Sequence, residues 1–114
     1  MNKSNVTTSF SLIMPILNEG KRIIPAIATL GLTTKYPFEL LVIYDNDQDI
    51  TIPVINELKL KFDFIKLKKN EGLKVIGAIK TGFIHAESDI VGIWLPYHVD
   101  PYGLINKMYE KNQR

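Results

Sequence analysis

Two stretches of this chain are apolar without a break, Leu40 to Tyr44 and Ile90 to Leu95. Short continuous runs with β-branched members predict strands buried on both faces, as in parallel sheets. The first, taken from Glu39 to Tyr44, stops at an acid, Asp45. The polar, turn-forming Asn46, Asp47, Gln48 and Asp49 follow. Ligands of open α/β sheets gather beyond the carboxyl ends of the strands. Asp45 is therefore delivered to the expected ligand edge.

Two shorter apolar runs, Phe10 to Met14 and Phe62 to Leu67, predict the other strands. Between the strands the apolar spacing turns helical. Ile23, Ile24, Ile27 and Leu30 share one stripe, with Gly31 expected just past the helix end. Thr51 is the expected N-cap of a second helix, with Pro53 in its first turn and Val54, Ile55 and Leu58 on its apolar face. A third helix is expected from Lys74 to Ala86, with Val75, Ile79, Phe83 and Ala86 facing the core. Gly77 and Gly82 lie inside it, where glycine costs about 1 kcal/mol against alanine. A last helix is expected from Tyr102 to Lys111. This β-α alternation predicts an α/β fold with a parallel sheet and right-handed crossovers.

The chain has 114 residues, the size of one ordinary domain. It has no cysteine, so disulfides and cysteine–zinc sites are excluded. A net charge of +2 with scattered basic residues does not suggest a nucleic-acid partner. Lys66, Lys68 and Lys69 form the one basic cluster, read as a solvated strand end or loop. No apolar stretch approaches the ~20 residues that cross a membrane. The polar Met1 to Thr8 lacks a signal-peptide core.

The turn after the first strand tests the nucleotide folds. Pro15-Ile16-Leu17-Asn18-Glu19-Gly20 lacks the G-x-G-x-x-G of dinucleotide-binding domains, and the chain has no P-loop. Met14 and Pro15 stand where a receiver domain would carry an acidic pair.

Phe10 to Glu19, with its P-x-x-N-E turn, resembles the opening strand and turn of the family 2 glycosyltransferases. Glu39 to Asp49 resembles their second strand and acidic turn. Asn70-Glu71-Gly72-Leu73-Lys74, then Gly77, Lys80 to Phe83, His85-Ala86 and Asp89, resembles their N-x-G segment and helix. The subgroup most similar is the polyprenyl-phosphate sugar transferases, and the resemblance runs from Phe10 to Tyr109. It implies the GT-A fold: a three-layer, Rossmann-like α/β domain, mostly parallel, strand order 3-2-1-4, helices on both faces. Residues 1–114 are then expected to be one nucleotide-sugar-binding domain, the N-terminal part of a longer GT-A unit.

The resemblance implies a UDP- or GDP-sugar donor and an acceptor that includes a polyprenyl phosphate or envelope glycan among its options. It leaves a homodimer open. The expected location is the cytoplasm, free or peripheral to the inner face of the membrane. Pro15, Asn18, Glu19, Asp45, Asn70, Gly72 and Lys74 are the implied nucleotide-binding residues. Asp45 would accept a base N–H, with Tyr44 replacing the first acid of the family's pair. Asn70, Gly72 and Lys74 would meet the diphosphate at a helix N-terminus. Each also has a plain structural reading: a turn acid at Asp45, loop and capping chemistry at Asn18 and Glu19, and at Gly72 a backbone conformation other residues avoid.

The family implies Mg²⁺ or Mn²⁺ held by D-x-D after the fourth strand. Here those positions are Leu95, Pro96 and Tyr97, and neither carboxylate is present. His98 and Asp100 lie just downstream and could ligate a metal. The alternative is a loop histidine and a helix-capping acid. No catalytic residue is assigned. A catalytically silent binding module is the other function class the sequence allows.

Overall fold

The computed structural model describes residues 8–100 and 102–113, so Met1–Thr7, Pro101 and Arg114 lie outside the described residues. The elements run β1 (Phe10–Pro15), a 3-10 turn (Gly20–Ile23), α1 (Ile24–Thr33), β2 (Phe38–Tyr44), α2 (Thr51–Leu58), β3 (Ile65–Lys69), α3 (Lys74–His85), β4 (Val91–Ile93) and α4 (Leu104–Asn112). The sheet order is β3-β2-β1-β4 and every pair is parallel, as expected. Leu40 to Val42 are fully buried because β2 lies between two strands and under helices on both faces.

Side chains alternate across the strands, so the two faces collect different partners. Leu12, Met14, Leu40 and Val42 join the larger core with residues of α1, α2 and α4. Ile13, Leu41 and Ile43 point the other way and meet Ala78 of α3.

Several boundaries differ from the sequence expectation. α1 runs past Gly31 to Thr33. A Cβ at Gly31 would lie 2.5 Å from the Phe62 ring, so that glycine serves close packing and not a helix end. β3 starts at Ile65 and takes in Lys68 and Lys69. Phe62 is held back because its N–H closes on Leu58 O, extending the end of α2. β4 pairs only from Val91 to Ile93, at a sheet edge among the described residues, and Ile93 is exposed.

The largest correction concerns α3. Val75 and Phe83, expected in the core, are 60% and 55% exposed. The buried face is instead Gly77, Ala78, Thr81 and Gly82. Small side chains let the helix settle directly onto the sheet: a Cβ at Gly82 would lie 2.6 Å from Ile13, and one at Gly77 would lie 2.6 Å from the Gly72 carbonyl carbon.

At the amino end of the sheet sits a polar network on the α3 face. Glu39 is 2% exposed. Its carboxylate accepts from Ser11 Oγ at 2.6 Å, Glu87 N at 2.6 Å and Lys66 Nζ at 2.8 Å. Lys66 also pairs with Glu87 at 3.0 Å. Lys66 is thus tied into the fold and is not the freely solvated residue the sequence suggested. Burial pulls its pKa down, but the hydrogen bonds it donates to Glu39 and Glu87 outweigh this and hold it above the usual lysine value. The Lys66 hydrogen bond, then that of Thr8, holds the Glu87 carboxyl below the usual glutamate value.

Two stability predictions follow from this packing. Gly82→Ala should gain about 1 kcal/mol of helix propensity but overpack against Ile13, which typically costs about 1–3 kcal/mol. Urea denaturation should show a net loss, and a gain would remove the close-approach argument. The depressed Glu87 carboxyl stabilises the fold above its unfolded pKa, about 4.3, and that contribution disappears as pH falls through the lowered folded value. Lys66 contributes below its unfolded pKa, about 10.4, and its contribution is lost as pH rises through the raised value. Glu87→Gln should therefore give a shallower acid limb in a plot of unfolding free energy against pH.

Candidate functional site

The carboxyl ends of β1 and β2 lie side by side, with Pro15 opposite Ile43. Their loops therefore leave the sheet together. A latch joins them. Asp49 is 4% exposed. Its Oδ2 accepts from Asn18 N at 3.0 Å and its Oδ1 from Thr51 N at 2.8 Å. Thr51 Oγ1 accepts from Glu19 N at 2.8 Å and Gly20 N at 3.1 Å. Asn18 Oδ1 returns the contact by accepting from Ile50 N at 3.2 Å. Thr51 is thus the first residue of α2, not its N-cap, and its hydroxyl serves the neighbouring loop. Asn18 and Glu19 act here as loop-building residues, with Glu19 Oε2 accepting from Leu17 N. Asn18 takes a positive φ of 50°, which asparagine tolerates better than most residues.

A second group forms around Asn70. Its N–H donates to Tyr44 O at 2.7 Å, tying the end of β3 to the end of β2. Its Nδ2 donates to Asp45 Oδ1 at 2.6 Å and to Lys74 O at 2.8 Å. Its Oδ1 accepts from Gly72 N at 2.8 Å. Thr81, buried on α3, accepts from Glu71 N and donates to Gly77 O. Gly72 does not have a positive φ. It is required because a Cβ there would lie 2.9 Å from Gly77 Cα. Lys74 is exposed and carries a φ of 55°, a strained value for a lysine.

Apart from Pro15, the last residue of β1, the predicted residues fall into two groups on one edge. Asn18 and Glu19 belong to the latch; Asp45, Asn70, Gly72 and Lys74 belong to the Asn70 hub. No hydrogen bond joins the groups among the described residues. Asp45 is exposed. Its Oδ1 is oriented by Asn70, and its Oδ2 has no protein partner among the described residues. The Gly72 N–H, at the helix start expected to meet an anion, is satisfied internally by Asn70 Oδ1. Asp49, Thr51 and Thr81 are the members the sequence reading undervalued. The spacing of Asp49 and Thr51, an acid two residues before the first hydroxyl of a helix, was the available signal.

The residues after β4 do not fit a carboxylate-held divalent ion. Trp94 donates from Nε1 to His98 O at 3.0 Å, and His98 N–H closes on Leu95 O, so Leu95–His98 form a tight turn. Both oxygens of Asp100 accept N–H groups of α4, from Leu104 at 2.7 Å and Ile105 at 3.2 Å. Both oxygens of Asp100 are taken up by the helix cap, the alternative reading of this acid, which leaves little capacity for the expected His98/Asp100 metal pair. Among the described residues no three His, Cys, Asp or Glu side chains gather in a metal-holding group.

Removing Asp49 should cost about 2–3 kcal/mol, the scale of hydrogen bonds to a charged group, because Asn18 and Thr51 N–H groups lose their acceptor. Asp49→Ala should lower the melting temperature, and Asp45→Ala should shift it little; equal shifts would contradict this division of roles.

Comparison with known proteins covers most of this geometry. The family model described as glycosyl transferase family 2 matches residues 11–95. A curated protein of Bacillus subtilis (strain 168), probable glycosyltransferase YdaM, is 29% identical over 91 residues, covering 74% of this chain and 21% of that protein. The crystal structure of S. aureus TarS 1-349 superposes with a TM-score of 0.72 at 21% identity, over 91% of this chain and 32% of that chain. The likeness to TarS is one of fold. The chain spans about a fifth of the curated relative and about a third of the solved structure.

Proposed function

The chain belongs to glycosyl transferase family 2, and from that premise we propose that its strand-end site binds the nucleotide of a UDP- or GDP-sugar donor. The observation that carries this is the exposed Asp45, held by Asn70 at the carboxyl edge with one oxygen free. That oxygen accepts a base N–H, which orients the base without burying a charge. Tyr44, half-buried beside it, offers a ring for the base. Lys74 supplies the cation for the diphosphate and forms no ion pair among the described residues. Its strained backbone, anchored through its carbonyl to Asn70, supports a role in positioning. The latch fixes the β1 loop to the loop that carries Asp45. The sugar would then pass to an acceptor, for which a lipid-linked phosphate is the reading carried over from the resembling subgroup.

A second reading has its own observation. Leu95, Pro96 and Tyr97 provide no carboxylate, and Asp100 is committed to α4. Hard divalent ions favour carboxylate, carbonyl and water ligands. This supports a domain that binds a nucleotide-sugar but does not by itself neutralise the diphosphate as it leaves.

Titration calorimetry with UDP- and GDP-sugars is the direct test. Binding is expected, and Asp45→Ala should weaken it about tenfold or more, the loss of one hydrogen bond to a charged group. No binding to any nucleotide would reject the site. A radiolabelled transfer assay with polyprenyl phosphate, with and without Mn²⁺, separates the two readings: turnover supports the enzyme, and binding without turnover supports the module.

A further inference from the structure

Thr81 is 2% exposed, on the side of α3 against which the Asn70 loop closes. A threonine inside a helix can bond back to the carbonyl four residues before it. Thr81 does so, donating to Gly77 O at 2.8 Å. That carbonyl already takes the helix bond from the backbone of residue 81, so the hydroxyl is not needed to complete α3. Its oxygen keeps lone pairs for other donors. It accepts the Glu71 N–H at 2.9 Å, and Asn70 Oδ1 lies 3.3 Å away. Residues four apart are neighbours on a helix surface, and the neighbour of Thr81 is His85. Its Nε2 lies 3.0 Å from Glu71 Oε2. A carboxylate only accepts, so Nε2 carries the hydrogen in this contact. Glu71 is therefore held at its backbone by Thr81 and at its side chain by His85.

These anchors fix the residue next to Asn70. The Asn70 side chain is itself pressed against α3, where a Cβ at Gly77 would lie 2.9 Å from its Oδ1. Its amide has one orientation that suits its neighbours. Turned over, it would set Oδ1 against Asp45 Oδ1 and the Lys74 carbonyl, and Nδ2 against the Gly72 N–H. Each of those hydrogen bonds would become a repulsion. One amide thus aims Asp45 and anchors Lys74, and its place is set from α3. We propose that Thr81 is the positioning residue of this edge. Without touching a ligand, it sets through Glu71 and Asn70 where the free Asp45 oxygen and the Lys74 ammonium meet a nucleotide. The proposal rests on the strand-end reading of the nucleotide site.

Nitrogen-15 NMR of the ligand-free chain gives the first test. Glu71 lies outside helix and strand, yet its amide should exchange with solvent more slowly than that of Leu73, which forms no hydrogen bond among the described residues. Thr81→Val keeps the shape and removes the hydroxyl. It should move the Asn70 Nδ2 and Asp45 signals and weaken binding of a UDP- or GDP-sugar about three- to tenfold, the scale of one hydrogen bond. Thr81→Ser should restore both. Ile55→Val, in the core on the other face of the sheet, should lower the melting temperature and change neither. An unmoved Asn70 signal in Thr81→Val, or an affinity loss no greater than that of Ile55→Val, would overturn the proposal. So would a Glu71 amide that exchanges as fast as Leu73, a measurement that needs no variant to fold. A chain that binds neither nucleotide-sugar would reject the strand-end reading and this role with it. A chain that binds one, with Thr81→Val unaffected, would reject this role alone.

Discussion

A buried carboxylate, Asp49, holds the working edge of this domain together. Parallel pairing of β1 and β2 brings two loops out side by side, but it does not fix them to each other. Asp49 and Thr51 do so by accepting N–H groups from residues 18, 19 and 20. A buried charge is tolerated only when hydrogen-bonded. Here the donors come from the partner loop and from the start of α2, so satisfying the charge and shaping the edge are one event.

The second constraint is the distance between α3 and the sheet. Gly82 removes the side chain that would hold the helix away from Ile13 of β1, and Gly72 and Gly77 let the preceding loop close against the helix. The closeness lets Thr81 reach Glu71 N and Asn70, and lets Asn70 span from Asp45 to Lys74. The propensity cost of interior glycine, about 1 kcal/mol each, is offset by contacts that no larger residue permits. The same packing turns the large apolar side chains of α3 outward.

Charge is divided between the two ends of the sheet. The amino end holds Glu39, Lys66, Glu87 and Ser11 in a closed network. The carboxyl end presents Asp45 and Lys74 with bonding capacity to spare. The closed network serves stability and its pH dependence. The open end keeps polar groups without protein partners among the described residues, and the proposed nucleotide site is built on them.

The sequence by itself determined the β-α order, the parallel pairing, the central place of β2 and the edge at which Asp45 emerges, because strand burial and helical spacing are written in local periodicity; the strand order 3-2-1-4 came from the family resemblance. It also carried the family, through residues spaced on the right elements. It misjudged α3, since a helix whose buried face is Gly77, Ala78, Thr81 and Gly82 shows its strongest apolar stripe on the wrong side. It could not rank Asp49 above Asp47, because both are turn acids until the fold brings Asn18 to one of them. It could not separate capping from metal binding at Asp100, which depends on where α4 begins in space. These were decided by the tertiary structure, since each turns on a close approach between segments distant in the chain, and such distances leave no periodic trace in the sequence.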